Sequence, residues 1–444
     1  MLIKREKKDR VRLGFIGLGR RGYWMLKWTY AKFPDVDIAW LVDLDDVRLE
    51  KAQKDLEELG RPRAKQTHDY REMLADPDVD AVVIYTGWSN HTELCLEAMR
   101  AGKYTGVEVG CAYDIEQCYD LVRTYEETGS PLMMLENDCY SRMHLLATRM
   151  AREGLYGEIV HCTGAYAHYL PPCDLFKKVT NEGHVMDKEN GIMDYNHYRQ
   201  YEYLNRCAEQ YPTHEFGPLA KLLRINRGNR LLTITSFSSK AVALEEYVRE
   251  KCPADHPLQG KKFSQGDIIT TVLTCANGET VRLSLDTTLP RPYQSGEWTV
   301  RGTKGCYLEE GPESRGRATI FLEGMEEPIY DNADEMTAKY EHPLWLEKVD
   351  PEAGHGGIDW LTNRAFIEAV KAGTDTPIDA YDTATWMAIG PLSERSIAEG
   401  ATVSFPDFTN GKWFRREPVV ECKYCLDEVC IDNTIKVNCE HVKK

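Results

Sequence analysis

Val11 to Gly22, VRLGFIGLGRRG, closes an apolar run with three glycines spaced G-x-G-x-x-G. Gly17 suits the tight turn from strand to helix, Gly19 lets the backbone approach a pyrophosphate, and Gly22 allows helix and sheet to pack closely. The diphosphate then sits over the helix N-terminus, where N–H groups and the helix dipole favour an anion. Asp43 ends the next apolar run, 21 residues beyond Gly22. A carboxylate there accepts from a ribose 2′-hydroxyl and repels a 2′-phosphate, so NAD is expected in preference to NADP. A second group of residues could move protons. Tyr211-Pro212-Thr213-His214 puts a phenol and an imidazole on one face of a helical turn, or turns both into one pocket if the segment leads into a helix. Pro212 favours the second arrangement because proline suits a first turn, with Thr213 a candidate N-cap. His214 is the natural acid or base, since only histidine titrates unperturbed near neutral pH.

The elements that must hold these residues follow from periodicity. From Val11 to about Leu135, the short apolar runs VRLGFIG, DIAWLVD, AVVIY, YTGVEV and PLMML alternate with amphipathic stretches such as HTELCLEAMRAG. That pattern predicts a doubly wound parallel sheet with helices on both faces. After a helical SRMHLLATRMAREG, alternating runs such as EIVHCTGAYAHYL, RLLTITSFSS, DIITTVLTCANGETVRLSLDT, EWTVRGTKGCYLEE and RATIFLEG succeed one another without long helices between them, which signals a largely antiparallel open sheet. Helical GIDWLTNRAFIEAVKAG and DTATWMAIGPLSERSIAEG close the compact part. The expected class is α/β, with an N-terminal Rossmann domain over residues 1–137, an α+β substrate domain over 138–414 and a cysteine-bearing extension over 415–444.

Composition narrows the partners. With 55 basic against 71 acidic residues and a net charge of -16, there is no cationic surplus for nucleic acid or an anionic membrane. No window reaches the roughly 18 uninterrupted apolar residues of a membrane helix, and the basic start MLIKREKKDR lacks the apolar core of a signal peptide. A cytoplasmic protein with a small neutral ligand is expected, its 14 cysteines reduced thiols. The open sheet of the second domain suits a homo-oligomer, a dimer or tetramer.

YTGWSNH at Tyr85 to His91 and AMRAGKYTGVEVG at Ala98 to Gly110 resemble the oxidoreductase-like Gfo/Idh/MocA family. Ordinary members carry Glu-Lys-Pro at the end of this strand, with the Lys serving hydride and proton transfer; here stands Glu108-Val109-Gly110. MMLENDCYSR, GAYAHYL, YPTHEFGPLAKLLRINRGNR, DTTLPRPY, GHGGIDW and PLSERSIAEGATVSFPDFT bring a narrower resemblance, to the NAD-dependent glycoside hydrolases of family 109, typified by α-N-acetylgalactosaminidases. It runs from about residue 11 to 414. The resemblance implies that Arg21, Gly22, Asp43, Trp88, Ser89, Asn90, His91, Glu108, Val109, Asn137 and Tyr211 hold NAD. It places Tyr166, Arg199, Tyr211, Pro212, Thr213, His214 and Tyr293 around the sugar, and His355 of GHGGID is a further candidate for the site.

The implied route differs from ordinary glycoside hydrolysis, which needs two carboxylates flanking an oxocarbenium-like transition state. Oxidation at C3 acidifies the C2 proton, a base removes it, and the group on C1 leaves by β-elimination. Water then adds and C3 is reduced again, so the cofactor is regenerated in each turn. Catalytic roles fall to His214, Tyr166 and Tyr211, the tyrosines sharing a proton if nearby positive charge lowers their pKa. Arg199, a rigid fork of donors, suits sugar hydroxyls or an acetamido oxygen. Glu108 could orient either the ribose or His91. Because elimination passes through a carbanion-like state, both α- and β-glycosides are expected to react. Two other readings share the motifs: an NAD-dependent sugar or cyclitol dehydrogenase, and a non-enzymatic sensor of NAD and sugar. Cys422, Cys425, Cys430 and Cys439, with His441, contain one C-x-x-C pair, but the later spacings match no zinc finger or ribbon. No metal is expected in the reaction.

Overall fold

The computed structural model describes residues 5–176, 198–312, 316–420 and 423–428. Six strands form the first sheet: β1 (Val11–Ile16), β2 (Val36–Val42), β3 (Lys65–Thr67), β4 (Ala81–Ile84), β5 (Tyr104–Val107) and β6 (Leu132–Met134). Their order is β3-β2-β1-β4-β5-β6, with every neighbouring pair parallel. The central strands are apolar on both faces, as AVVI in β4 shows by being wholly buried, because helices cover both sides. The order reverses between β1 and β4, so a crevice opens at their carboxyl ends, where ligands of such sheets bind.

A second sheet comprises β7 (Ile159–Ala167), β8 (Leu231–Ser238), β9 (Ile268–Cys275), β10 (Thr280–Asp286), β11 (Thr299–Gly302), β12 (Gly305–Glu309), β13 (Ala318–Leu322) and β14 (Val403–Ser404). It runs β13-β12-β11-β7-β10-β9-β8-β14. All its pairs are antiparallel except β7 with β10. Alternating burial along β9 is the mark of a sheet with one covered face. Asn277-Gly278 turns β9 into β10, with Gly278 at φ +100, the left-handed backbone that glycine adopts without penalty. The edge strands are short, β3 three polar residues and β14 a Val-Ser pair with Val403 buried, and hydrophobic periodicity gives no warning of either.

Two segments lie elsewhere than their place in the chain suggests. The helix Ile358–Ala372, expected in the second domain, covers the first sheet. Asn363 on it accepts from Tyr30 and Tyr85 hydroxyls at 2.5 and 3.0 Å, and Arg364 forks onto Asp35 at 2.7 and 2.6 Å. The extension, in turn, is built into the body over its described residues. Asp427 accepts from Lys221 at 3.0 Å and pairs with Arg227 at 2.7 Å, while Glu428 pairs with Arg224 at 2.8 Å. Cys425 is buried there, its thiol donating to the Glu428 carbonyl at 3.3 Å; Cys422, Cys430, Cys439 and His441 lie outside the described residues.

Candidate active site

The glycine finger sits at the reversal of strand order. Gly17 has φ +91, and a Cβ on it would stand 2.7 Å from the Tyr85 carbonyl oxygen; one on Gly22 would meet the Gly17 oxygen at 2.0 Å. Only glycine fits either position. Gly19 is the N-cap of the helix Arg20–Trp28 without a side-chain cap, and an added Cβ there would touch nothing within 4 Å. Uncapped N–H groups facing an open cradle suit a diphosphate. Asp43 directly follows β2 and fixes the same turn, accepting from the N–H of Leu18 at 2.6 Å and of Asp45 at 3.0 Å.

Trp88, Ser89 and Asn90 form the turn after β4, with Trp88 buried and the other two exposed. His91 Nε2 stands 3.0 Å from the Thr86 carbonyl, so that nitrogen carries the proton and Nδ1 the lone pair. Among the described residues Nδ1 has no hydrogen-bond partner although it is buried, and burial lowers the imidazole pKa, keeping it neutral. An orphaned buried acceptor beside the cradle is consistent with a bound group that donates to it. Val109, standing where a dehydrogenase lysine is expected, is 3% exposed. Next to it, Gly110 gives space to Trp88, whose Cδ1 would lie 2.8 Å from an added Cβ.

Arg21, Glu108 and Asn137 meet one another through a residue the sequence reading did not single out. The Arg21 guanidinium donates to both oxygens of Asp359 at 2.8 Å and to Glu108 Oε2 at 2.9 Å. Asn137 donates to Asp359 Oδ1 at 2.8 Å, and His355 Nδ1 lies 2.7 Å from Oδ2. Burial alone would raise the Asp359 carboxyl, but Arg21 outweighs it and holds the group well below the carboxylate range. Glu108 thus braces Arg21 through Oε2 and accepts from the Val109 N–H through Oε1 at 3.1 Å. Asp359 is reached through a strained approach: Gly354, His355, Gly356 and Gly357 all have positive φ, and a Cβ on Gly354 would collide with the Asp359 carboxylate at 2.2 Å.

Facing this network is an aromatic cage. Tyr166 near the end of β7 and Tyr211 lie 4.2 Å apart between ring centroids, and His214 meets Tyr211 edge-on at 4.8 Å and Tyr166 at 5.6 Å. Arg199 lies over Tyr211, Trp88 and Tyr166 at 4.7, 5.2 and 5.9 Å, and His168 stacks on Tyr166 at 4.0 Å. Pro212 occupies the first position of the helix Pro212–Leu222. The N-cap is Tyr211, not Thr213 as expected; Thr213 is buried within the first turn. The condition of a lowered pKa is not met at Tyr211: burial, reinforced by Tyr166, raises it well above the usual value despite Arg199, so the phenol keeps its proton. His355 stands at the rim with its side chain 60% exposed. Tyr293 is 41% exposed on the loop after β10 and touches no cage ring among the described residues.

His214 has a partner that sequence reasoning missed. Its Nδ1 lies 2.7 Å from Oε1 and 2.8 Å from Oε2 of Glu136, a wholly buried carboxylate just beyond β6. Glu136 is itself fixed by the Asp138 N–H at 3.0 Å. Glu136, Asp138 and His214 have ligand-type atoms within 4.8 Å of one another, but the direct Glu136–His214 contact already joins two of the three. The only signal for Glu136 was an acidic residue at the carboxyl end of a buried strand.

Fold and cradle together define an NAD-binding Rossmann protein with a second domain built on an open sheet. Residues 11–136 match the oxidoreductase family with an NAD-binding Rossmann fold, and residues 140–415 match the C-terminal domain of glycosyl hydrolase 109. The chain belongs to glycosyl hydrolase family 109. A family 109 protein of Stenotrophomonas maltophilia (strain K279a) is 39% identical over 423 residues, covering 92% of this chain and 91% of its own. An alpha-N-acetylgalactosaminidase of Tannerella forsythia is 39% identical over 425 residues, covering 92% and 88%. Among solved structures, a levoglucosan dehydrogenase in complex with NADH shares the fold, with a TM-score of 0.65 and 17% identity over 90% of this chain and all of its own. The protein is a glycosidase with NAD as its cofactor.

Proposed function

We propose that the chain hydrolyses small glycosides of an N-acetylgalactosamine-type or related hexose, of either anomer, by transient oxidation at C3. The observation that carries this reading is the cage of Tyr166, Tyr211, Arg199 and the Glu136-paired His214 beside the cofactor cradle, in a chain whose lysine position holds buried Val109. When bound, NAD would supply a reversible hydride acceptor for C3. Gly17, Gly19 and Gly22 with Asp43, the turn from Trp88 to His91, and Glu108, Val109 and Asn137 would hold it, Arg21 acting through its ion pairs. With Nδ1–H donated to Glu136, the His214 lone pair resides on Nε2, and Nε2 takes the C2 proton acidified by the neighbouring ketone. Tyr211, kept protonated, donates to a sugar oxygen, and Tyr166 shares that duty. Arg199 meets hydroxyls or the acetamido oxygen. Tyr293 and His355 line the outer edge.

The reading extends to a cytoplasmic homo-oligomer. Among the described residues no helix is long and apolar enough to cross a membrane, and Val160, Phe237 and Phe321 on the second sheet are 51%, 62% and 37% exposed; sedimentation of a monomer would remove the oligomer. For the chemistry, aryl α- and β-glycosides are incubated in heavy water. Phenol release at constant nicotinamide absorbance, with deuterium at C2 of the freed sugar, is expected. Growth of the NADH absorbance without phenol would instead identify a sugar dehydrogenase, and phenol release without C2 deuterium would remove the elimination route.

A further inference from the structure

Beneath the cage lie two carboxyls that this reaction does not use. Glu209, in the loop before Tyr211, is fully buried; its N–H donates to Ser393 Oγ at 2.7 Å and its Oε1 accepts from the Tyr211 N–H at 3.4 Å. Glu215, one turn into the helix Pro212–Leu222, is buried as completely. Its Oε2 accepts from the Ser284 N–H of β10 at 3.0 Å, and the Tyr166 N–H also donates to this carboxyl. Helix and β7 are pressed together here, since a Cβ on Gly164 would stand 2.4 Å from the Glu215 carbonyl oxygen.

Glu209 Oε2 and Glu215 Oε1 are buried with no N–H or hydroxyl donor among the described residues, and the two carboxyls are near enough to act on each other. Two carboxylate oxygens can bond only through a proton. No arginine or lysine pairs with either carboxyl among the described residues. The titratable groups facing Glu209 are Tyr203 and Cys111, and the cage tyrosines stand above the pair.

We propose that Glu209 and Glu215 share one proton and, through it, position Tyr211 and Tyr166 against the sugar. The proposal rests on the reading of those tyrosines given above. Each carboxyl grips the backbone of one cage tyrosine, so the proton that joins the carboxyls joins the tyrosines. Losing it leaves two like charges in a dry space, which forces them apart. Burial pushes Glu209 up to about 8, and burial together with the Glu209 charge raises Glu215 well above the usual range. The folded chain therefore holds a proton that the unfolded chain releases near pH ~4.3. The stability this provides is full below that range and is lost as pH rises through the raised folded value of Glu215, the carboxyl that titrates against the Glu209 charge.

The test has two readouts on the NAD-loaded protein. In infrared difference spectra across the alkaline range, the wild type is expected to lose a protonated-carboxyl C=O band that Glu215→Gln and Glu209→Gln each lack. In Glu215→Gln an amide N–H replaces the shared proton, so the alkaline fall of kcat/KM on an aryl glycoside moves up by about one pH unit or more. Absence of the band, or its persistence in both variants, overturns proton sharing. A band that behaves as expected beside an unmoved alkaline limb overturns the positioning role. Should the band behave while aryl glycosides are not cleaved at all, the proposed function fails and the positioning role falls with it, whereas proton sharing stands. If one variant does not fold, the other and the wild-type band still decide.

Discussion

His214 and Glu136 are joined by a two-pronged contact of 2.7 and 2.8 Å, although one begins a helix of the second domain and the other follows the last strand of the first sheet. The contact makes the candidate base depend on how the two halves sit together. It also sets which imidazole nitrogen holds the proton. Gly217 permits the close approach, because a Cβ there would press on Glu136 Cγ at 3.1 Å and on Trp386.

Glu136→Gln is expected to fold and to lower kcat/KM on an aryl glycoside by about 10²-fold, with NAD affinity retained in a direct binding titration. An unaltered rate would show that the pair is not used. Burial raises the Glu136 carboxyl, but His214 outweighs it and holds it below the usual value. Its contribution to stability is thus present above the ordinary carboxylate range and lost as pH falls through the lowered folded value. Acid unfolding followed by circular dichroism should accordingly be less steep in the Gln variant.

Asp359→Ala strands the Arg21 guanidinium beside Asn137 with half its partners removed. Breaking a buried ion pair from one side costs about 3–5 kcal/mol, and Asp359 is fully buried. Urea unfolding should show a loss of that size, together with weaker NAD retention on gel filtration. A loss under about 1 kcal/mol would mean that the network is not what ties the helix Ile358–Ala372 to the cradle.

Asp43→Ala removes the carboxylate expected to repel a 2′-phosphate. Arg48, whose guanidinium lies 3.8 Å from Asp43, is then available to an added phosphate. Titration should show NAD binding weakened by about tenfold and the gap between NAD and NADP narrowed. An unchanged preference would assign cofactor choice to other residues.

Gly110→Ala forces a methyl against the Trp88 ring at 2.8 Å. Overpacking of this kind costs about 1–3 kcal/mol. Since Trp88 stacks beside Tyr211 and under Arg199, KM for the glycoside should rise along with a fall in melting temperature. Destabilisation with unaltered KM would separate Trp88 from the sugar side.

Much of this was legible along the chain because it is written in local pattern. Apolar runs buried on both faces announce parallel strands, three glycines at fixed spacing announce a phosphate turn, and Tyr211 and His214 share a face through helical spacing alone. Polar β3 and two-residue β14 left no periodic trace. The neutral state of Tyr211 was likewise hidden, since burial by distant segments outweighs the adjacent guanidinium.

By itself, then, the sequence determined the two kinds of sheet, the NAD finger with its acidic companion, and the placing of Tyr211 and His214 on one short segment, all of which depend on residues a few positions apart. Only the tertiary structure decided the pairings: Arg21 with Asp359 across 338 residues, His214 with Glu136 across 78, and Glu209 with Glu215 through a shared proton. A buried charge needs a partner wherever the chain can bring one, and which partner arrives is set by how helices and sheets pack, a property no short window contains.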